Sequence, residues 1–336
     1  MKIGTEAVLQ DGRPRYGIRP YIRIARPDHW FKNVFMVLGV LLAVFYDPRA
    51  LELRHLGALL VGVLATCLIA SANYVINELL DGPLDRLHPS KRTRPVPSGQ
   101  IRPAFAMAEW LLLSIAGLGL AAMVNVSFAI AGATLWLMGL VYNVPPIRAK
   151  EWPYLDVLVE SFNNPLRLLL GWFCVQSFRI PPLSLIIAYW MAGAFFMATK
   201  RFAELRAIGD RAVAAAYRQS FAFYTENSLL VSMLFYACFG SVFIGIFVVR
   251  YHVELILFTP LAAGLFAFYL ALGLLPDSPT QHPERLHGQR PFMAYLFVTL
   301  TIFVVLMLTS MPRLYDWFNV EPAPVSPLWT FGEPHR

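Results

Sequence analysis

Residues 56–85 read LGALLVGVLATCLIASANYVINELLDGPLD. From Leu56 to Asn77 the stretch carries no charge, and it then ends on Glu78, Asp81 and Asp85. A helix needs about 20 apolar residues to cross the hydrocarbon of a bilayer, so this segment reads as a membrane span that terminates in an acidic rim. The rest of the chain supports that reading. Of its 336 residues 57% are hydrophobic and 15% charged, with mean hydropathy +0.54; soluble domains average roughly 45–50% apolar and about 25% charged. Leu111–Val124 and Phe292–Met311 are likewise free of charge.

Runs of this kind predict an all-α, polytopic bundle of about nine transmembrane helices. Their limits fall at 30–46, 56–81, 103–123, 125–144, 153–177, 182–200, 227–249, 253–274 and 291–311. The first run follows a basic and polar stretch, so no cleavable leader is expected. Lys and Arg concentrate in residues 1–29 and in the loops after the second, fourth, sixth and eighth spans, whereas Arg49, Arg54, Arg179, Arg250, Arg313 and Arg336 lie on the other side. By the positive-inside rule the N-terminus is cytoplasmic. The expected organisation is a cytoplasmic segment (1–29), a transmembrane catalytic domain (30–311) and a non-cytoplasmic tail (312–336), in a plasma membrane of bacterial inner-membrane type. The net charge of +7 is distributed as topology requires, which argues against a nucleic-acid partner. Cys67, Cys174 and Cys238 show no metal-ligand spacing and read as small buried hydrophobes.

Asn77, Asp81 and Asp85 recur every four residues, so successive members drift by only about 40° and share a helix face. Glu78 lies at its edge. Gly82-Pro83 predicts a break or kink that splays Asp85 outward. An acidic residue mid-membrane costs about 2.5–3.5 kcal/mol, and such groups face cavities, pair with cations or mark a functional path. The plain alternative is a solvated helix end neutralised by Arg86, Lys91 and Arg92. Directly downstream, however, His88-Pro89-Ser90-Lys91-Arg92-Thr93-Arg94-Pro95 is dense in donors suited to phosphate oxygens. Hard carboxylate oxygens suit Mg²⁺, which takes one or two of them together with substrate phosphates. A carboxylate platform beside an Arg/Lys clamp therefore suits a diphosphate leaving group.

A second polar face lies in the fifth span, where Asp156, Glu160, Asn163, Asn164 and Arg167 recur at helical spacing. Arg167 stands roughly 16 Å along the axis from Asp156, with a carboxylate or a substrate phosphate as its expected partner. Pro165 is expected to kink the helix, and Asn163 to satisfy a backbone group freed by the kink. The alternative is a polar seam that only holds the bundle together. Lys200 and Glu204 end the sixth span as i,i+4 neighbours, and Tyr142, Arg148 and Lys150 flank the fourth loop; none of these is distinctive alone.

The spacing Asn77-Glu78-x-x-Asp81-x-x-x-Asp85, followed by Lys91-x-x-Arg94-Pro95, resembles the first aspartate-rich motif of the UbiA superfamily of intramembrane prenyltransferases. The resemblance implies a helix bundle around a central cavity with a cytoplasmic cap. Within the superfamily the chain is most similar to the polyprenyl-phosphate (decaprenyl-phosphate) phosphoribosyltransferase branch. The residues that carry the likeness are Arg26-Pro27-Asp28-His29-Trp30-Phe31-Lys32-Asn33, Asp85-Arg86-Leu87-His88-Pro89-Ser90-Lys91-Arg92 and Lys200-Arg201-Phe202-Ala203-Glu204-Leu205, with a weaker match over Ser220–Thr225.

That likeness implies phosphoribosyl diphosphate as donor, Mg²⁺, and a polyprenyl phosphate acceptor. Asn77, Asp81 and Asp85 would carry the metal and diphosphate, Lys91 and Arg94 would hold phosphate, and Lys200 and Glu204 would bind donor phosphate and ribose. Lys32, Asn33, Tyr142, Asp156, Glu160 and Asn164 complete the expected substrate-binding set. Arg167 joins Asn77, Asp81 and Asp85 as a catalytic candidate, reaching the lipid phosphate from within the membrane. Users of isoprenyl diphosphate carry a second Asp-rich motif after the sixth span, where this chain has one carboxylate and two cations. The rival enzyme reading is transfer from an isoprenyl diphosphate to an aromatic or other polar acceptor. A secondary transporter is disfavoured because no repeated halves are visible.

Overall fold

The computed structural model describes residues 17–47, 53–86, 91–281 and 283–321. Arg49, His88, Pro89, Ser90, the first part of the N-terminal segment and the chain beyond residue 321 lie outside the described residues, so the expectations for them are not addressed by the fold.

No strand element occurs among the described residues. The helices are α1 (Ile18–Ala25), α2 (Phe35–Tyr46), α3 (Leu53–Asp85), α4 (Pro103–Val124), α5 (Val126–Asn143), α6 (Leu155–Phe173), α7 (Leu183–Ile208), α8 (Arg211–Tyr217), α9 (Glu226–Tyr251), α10 (Thr259–Gly273), α11 (Arg290–Leu308) and α12 (Pro312–Phe318). A left-handed residue, Arg26 (φ 49°), and a 3₁₀ segment, Pro27–Val34, join α1 to α2, and the first candidate span covers Ile18–Tyr46. Among the described residues, eight segments are long and apolar enough to span a membrane. The ninth is α6, whose 19 residues rise roughly 28 Å but whose polar face lowers its hydropathy. The protein is an integral membrane protein.

Local chemistry sets the helix ends. Asn125 caps α5 by accepting from the Phe128 N–H at 2.8 Å, and Thr225 and Ser228 form a reciprocal capping box at the start of α9. Helix α6 sits centrally, packed on α2, α5 and α7, which is why its polar face is enclosed and not turned to lipid. Its contact with α2 depends on two glycines. A Cβ on Gly39 would fall 1.9 Å from the Leu168 carbonyl oxygen, and one on Gly171 would fall 1.9 Å from that of Met36. Both obstacles are backbone, so the helices must separate to admit any side chain. Gly171→Val is expected to cost about 1–3 kcal/mol or more, seen as a lowered thermal midpoint in detergent; an unchanged midpoint would refute the close approach.

The structure corrects several expectations about element ends. Helix α3 does not break at Gly82-Pro83 but continues to Asp85 with Pro83 inside it, and Asp85 is buried, not splayed outward. Gly82 serves a close approach instead, since a Cβ there would lie 2.6 Å from Val96 Cγ1 of the following loop. Helix α7 extends beyond residue 200 to Ile208, so Lys200 and Glu204 stand on its final turns. Much of the polar connection that follows is itself helical, formed by α8 and a 3₁₀ turn over Gln219–Ala222. Cys67 and Cys174 are buried as expected, but Cys238 is exposed on α9.

Candidate active site

The end of α3 is drawn into a polar network by the short segment after α5. Asn143, the last residue of α5, accepts from Asn77 Nδ2 at 2.5 Å and from Lys150 Nζ at 3.0 Å. Lys150 Nζ also donates to Asp81 Oδ1, which in addition receives Arg148 at 3.1 Å. Arg148 adopts a left-handed backbone (φ 37°) and pairs with Glu151 as well. Burial, only partly offset by the Asp81 carboxylate, holds the Lys150 ammonium below the usual lysine range.

Asp85 sits one turn further along α3. Arg94 donates to its Oδ2 at 2.9 Å and Lys91 Nζ lies 3.8 Å from Oδ1. Lys91 also lies over the Tyr217 ring, 4.5 Å from its centroid, which ties the loop after α3 to α8. Burial lowers this ammonium too, against the pull of Asp85. Glu78 faces elsewhere: it accepts from the Val96 N–H at 3.2 Å and meets Arg26 at 3.9 Å, so it braces the loop and leaves the acidic face to Asp81 and Asp85.

A second group forms where α6 meets α7. The Asp156 carboxylate, fully buried, accepts from Arg201 Nε at 3.0 Å, Tyr224 Oη at 2.6 Å and Ser220 Oγ at 3.4 Å, with Arg218 at 3.8 Å. Burial and then the Asp156 charge push the Tyr224 hydroxyl well above the ordinary tyrosine range. Arg201 also donates to Glu204 at 3.1 Å, and Lys200 lies 3.9 Å from the same carboxylate. Tyr142 links the two helices: its hydroxyl accepts from Arg201 and Arg218 at 3.5 and 3.4 Å and lies beside the Glu160 carboxylate. Lys32 lies within electrostatic range of Glu160 and Lys200.

Deeper in the bundle, Arg167 is buried and donates from Nε to Asn33 Oδ1 at 3.1 Å and from its terminal nitrogen to the Asn163 carbonyl at 3.3 Å. Of the two partners expected for it, a carboxylate or a substrate phosphate, no carboxylate pairs with it among the described residues, and its protein partners are neutral oxygens. The Asn163 side-chain oxygen, expected to satisfy a freed backbone group, has no partner among the described residues; its backbone carbonyl is the group that is used. Asn164 packs against Gly193 of α7, where a Cβ would lie 2.6 Å from Nδ2.

The expected residues therefore fall into three connected groups, around Asp81 and Asp85, around Asp156 and Glu160, and around Arg167. Sequence reasoning missed Asn143, Arg148, Lys150, Arg201 and Arg218 as members. Asn143 carried a usable signal, a lone polar residue ending an apolar run just as Asn77 does. Arg148 and Lys150 carried almost none, because basic residues at that position are what topology alone demands.

Among the described residues, no three His, Cys, Asp or Glu side chains group as a metal cage. Asp81 and Asn143 offer hard oxygens that share the Lys150 ammonium, with Asn77 on Asn143 and Asp85 one turn further along α3. That arrangement fits an ion that keeps several of its positions for phosphate and water.

A membrane bundle of this kind has known counterparts. The model of the UbiA prenyltransferase family matches residues 33–297. The chain belongs to this family. It is 30% identical over 237 residues to the decaprenyl-phosphate phosphoribosyltransferase of Mycolicibacterium smegmatis, a match that spans 68% of this chain and 69% of that one. It is 28% identical over 233 residues to the protoheme IX farnesyltransferase of Alkalilimnicola ehrlichii, over 66% of this chain and 74% of the relative. A UbiA homolog from Archaeoglobus fulgidus solved with GPP and Mg²⁺ shares the fold at a TM-score of 0.63 and 20% identity, over 86% of this chain and all of that one. The UbiA resemblance read from the Asn77–Asp85 motif is borne out, and the chain is a UbiA-type membrane transferase.

Proposed function

We propose that this enzyme transfers a phosphoribosyl group from phosphoribosyl diphosphate to a polyprenyl phosphate, releasing diphosphate, with Mg²⁺ held by Asn77, Asp81 and Asp85. The observation that carries the reading is the charge at the end of α7. There Lys200 and Arg201 surround the single carboxylate Glu204, and Arg201 is committed to Asp156 as well. A second metal-binding carboxylate pair is not found there among the described residues, whereas cations are what a donor with a further phosphate group needs. The similarity to the mycobacterial phosphoribosyltransferase points the same way.

Mg²⁺, when bound, supplies neutralisation of the charge that develops on the diphosphate. Lys91 and Arg94, now on Asp85, would turn to the outer phosphate oxygens, and Lys150 and Arg148 would follow the charge from Asp81. Lys200 and Glu204 would hold the donor's other phosphate and its ribose. The bond between C1 and the diphosphate oxygen breaks with its electron pair leaving on the diphosphate. A lone pair on an oxygen of the acceptor phosphate forms the new bond to C1. That oxygen is already anionic, so no base is required, and positioning and charge stabilisation supply the rate. The apolar bundle holds the polyprenyl chain, each buried CH₂ contributing about 0.8 kcal/mol. The site faces the cytoplasm of a plasma membrane, residues 30–311 form the catalytic domain, and residues 312–336 lie on the opposite side.

Incubation with Mg²⁺, polyprenyl phosphate and either labelled phosphoribosyl diphosphate or labelled isoprenyl diphosphate tests this. Label is expected in the lipid product only from the first. Transfer only from the second, to an aromatic or other polar acceptor, would replace the proposal with prenyl transfer.

A further inference from the structure

Lys150, Lys200, Arg201 and Arg218 each have a carboxylate partner. Arg167 has none among the described residues, although it is buried inside the bundle. The Glu160 carboxylate is within electrostatic range but makes no ion pair with it; enclosing a guanidinium without a paired carboxylate costs several kcal/mol, and a neutral hydrogen bond between helices does not require a cation. Its Nε and one terminal N–H reach Asn33 and the Asn163 carbonyl. The remaining N–H groups, all on the two terminal nitrogens, have no protein partner among the described residues. The guanidinium is held in a set orientation: Asn33 donates from Nδ2 to Cys67 Sγ at 3.2 Å, which leaves its oxygen facing Arg167.

The position of this group is informative. Cys67, Ser71 and Tyr74 occupy one face of α3, where they meet Asn33, Trp30 and His29 respectively. Asp81 follows Tyr74 by about 10 Å along the same helix, and Tyr74 is electrostatically close to Arg167. A phosphate beside Tyr74 and a diphosphate at Asp81 would stand about two helical turns apart along α3, a span of the order of one five-membered sugar with its substituents. Taking the phosphoribosyl reading above as its basis, we infer that Arg167 is the binding residue for the phosphate head of the lipid acceptor, with Asn33 as the residue that positions it. A phosphomonoester placed here meets a fork of free donors in a low-dielectric setting, with its apolar chain already at hydrocarbon depth.

The test uses the full-length protein in nanodiscs, with KM measured separately for donor and acceptor and equilibrium binding measured for polyprenyl phosphate, polyprenol and inorganic phosphate. Arg167→Gln is expected to raise the acceptor KM about 10–100-fold and Asn33→Ala several-fold, with the donor KM unchanged in both; donor affinity serves as the control for folding. Polyprenyl phosphate should bind far more tightly than polyprenol, and Arg167→Gln should abolish that difference. Equal changes in both KM values, an unchanged acceptor KM, equal affinity for polyprenol, or inorganic phosphate binding as tightly as the lipid would each overturn the inference. If the wild type binds polyprenyl phosphate through Arg167 yet transfers no ribosyl group, the subsite stands and the donor assignment falls.

Discussion

Replacing Asp81 with asparagine is expected to lower transfer by about 10²–10³-fold, the range found when one preorganised charge-stabilising group is removed from an active site. The side chain keeps its size and one hydrogen-bonding oxygen, so the loss reports on charge. Asp81 is the point at which the network divides: through its Oδ1 it holds Lys150 and Arg148, and through Lys150 it reaches Asn143 and Asn77. Without its negative charge a metal ion held here would lose its anchor, and the two basic side chains would repel what remains. Initial rates measured across a Mg²⁺ titration should show a reduced maximum and a weakened dependence on the metal. Full activity at limiting Mg²⁺ would remove Asp81 from the mechanism.

The largest structural effect is expected at Asp156. Its carboxylate is fully buried and gathers Arg201, Ser220, Tyr224 and Arg218, contributed by α7 and the segment after α8. Asp156→Ala leaves two guanidinium groups facing a cavity, and removing one partner of a buried ion pair costs about 3–5 kcal/mol. The fall should appear as early thermal loss of the monodisperse species in detergent. It should be accompanied by loss of donor binding, because Arg201 also positions Glu204. A variant with wild-type thermal behaviour would show that α6 is not what secures the cap segment.

The fold was largely legible because membrane burial imposes long uncharged runs, and the run at 56–85 already contained both the span and the acidic face. What escaped was local and cooperative. Gly82-Pro83 has the composition of a break, yet α3 continues through it, and Gly82 instead lets the loop carrying Val96 pack where a Cβ would otherwise stand. Such packing depends on residues in three dimensions and leaves no trace in periodicity. The polar residues of α6 were found by their spacing, but their partners were not: Arg167 ended on Asn33, 134 positions away in sequence, and Asp156 on Arg201 of α7 and on residues after α8. The basic residues Arg148 and Lys150 were masked by the topological signal they share with idle surface lysines and arginines. The acidic motif was visible because carboxylates placed at a span terminus are costly unless a cavity, a cation or a substrate receives them.

The uninterrupted course of α3 has a consequence beyond the arrangement of side chains. Its 33 residues measure about 50 Å at 1.5 Å each, against a hydrocarbon layer of about 30 Å. The excess raises Asp81 and Asp85 toward headgroup depth, where, on the proposed function, ions and the donor would arrive from water while the lipid acceptor stays in its own phase. Bilayer thickness thereby enters the chemistry: longer acyl chains would submerge the acidic end, raise the energy of its charged form and make the enzyme a reporter of hydrophobic mismatch.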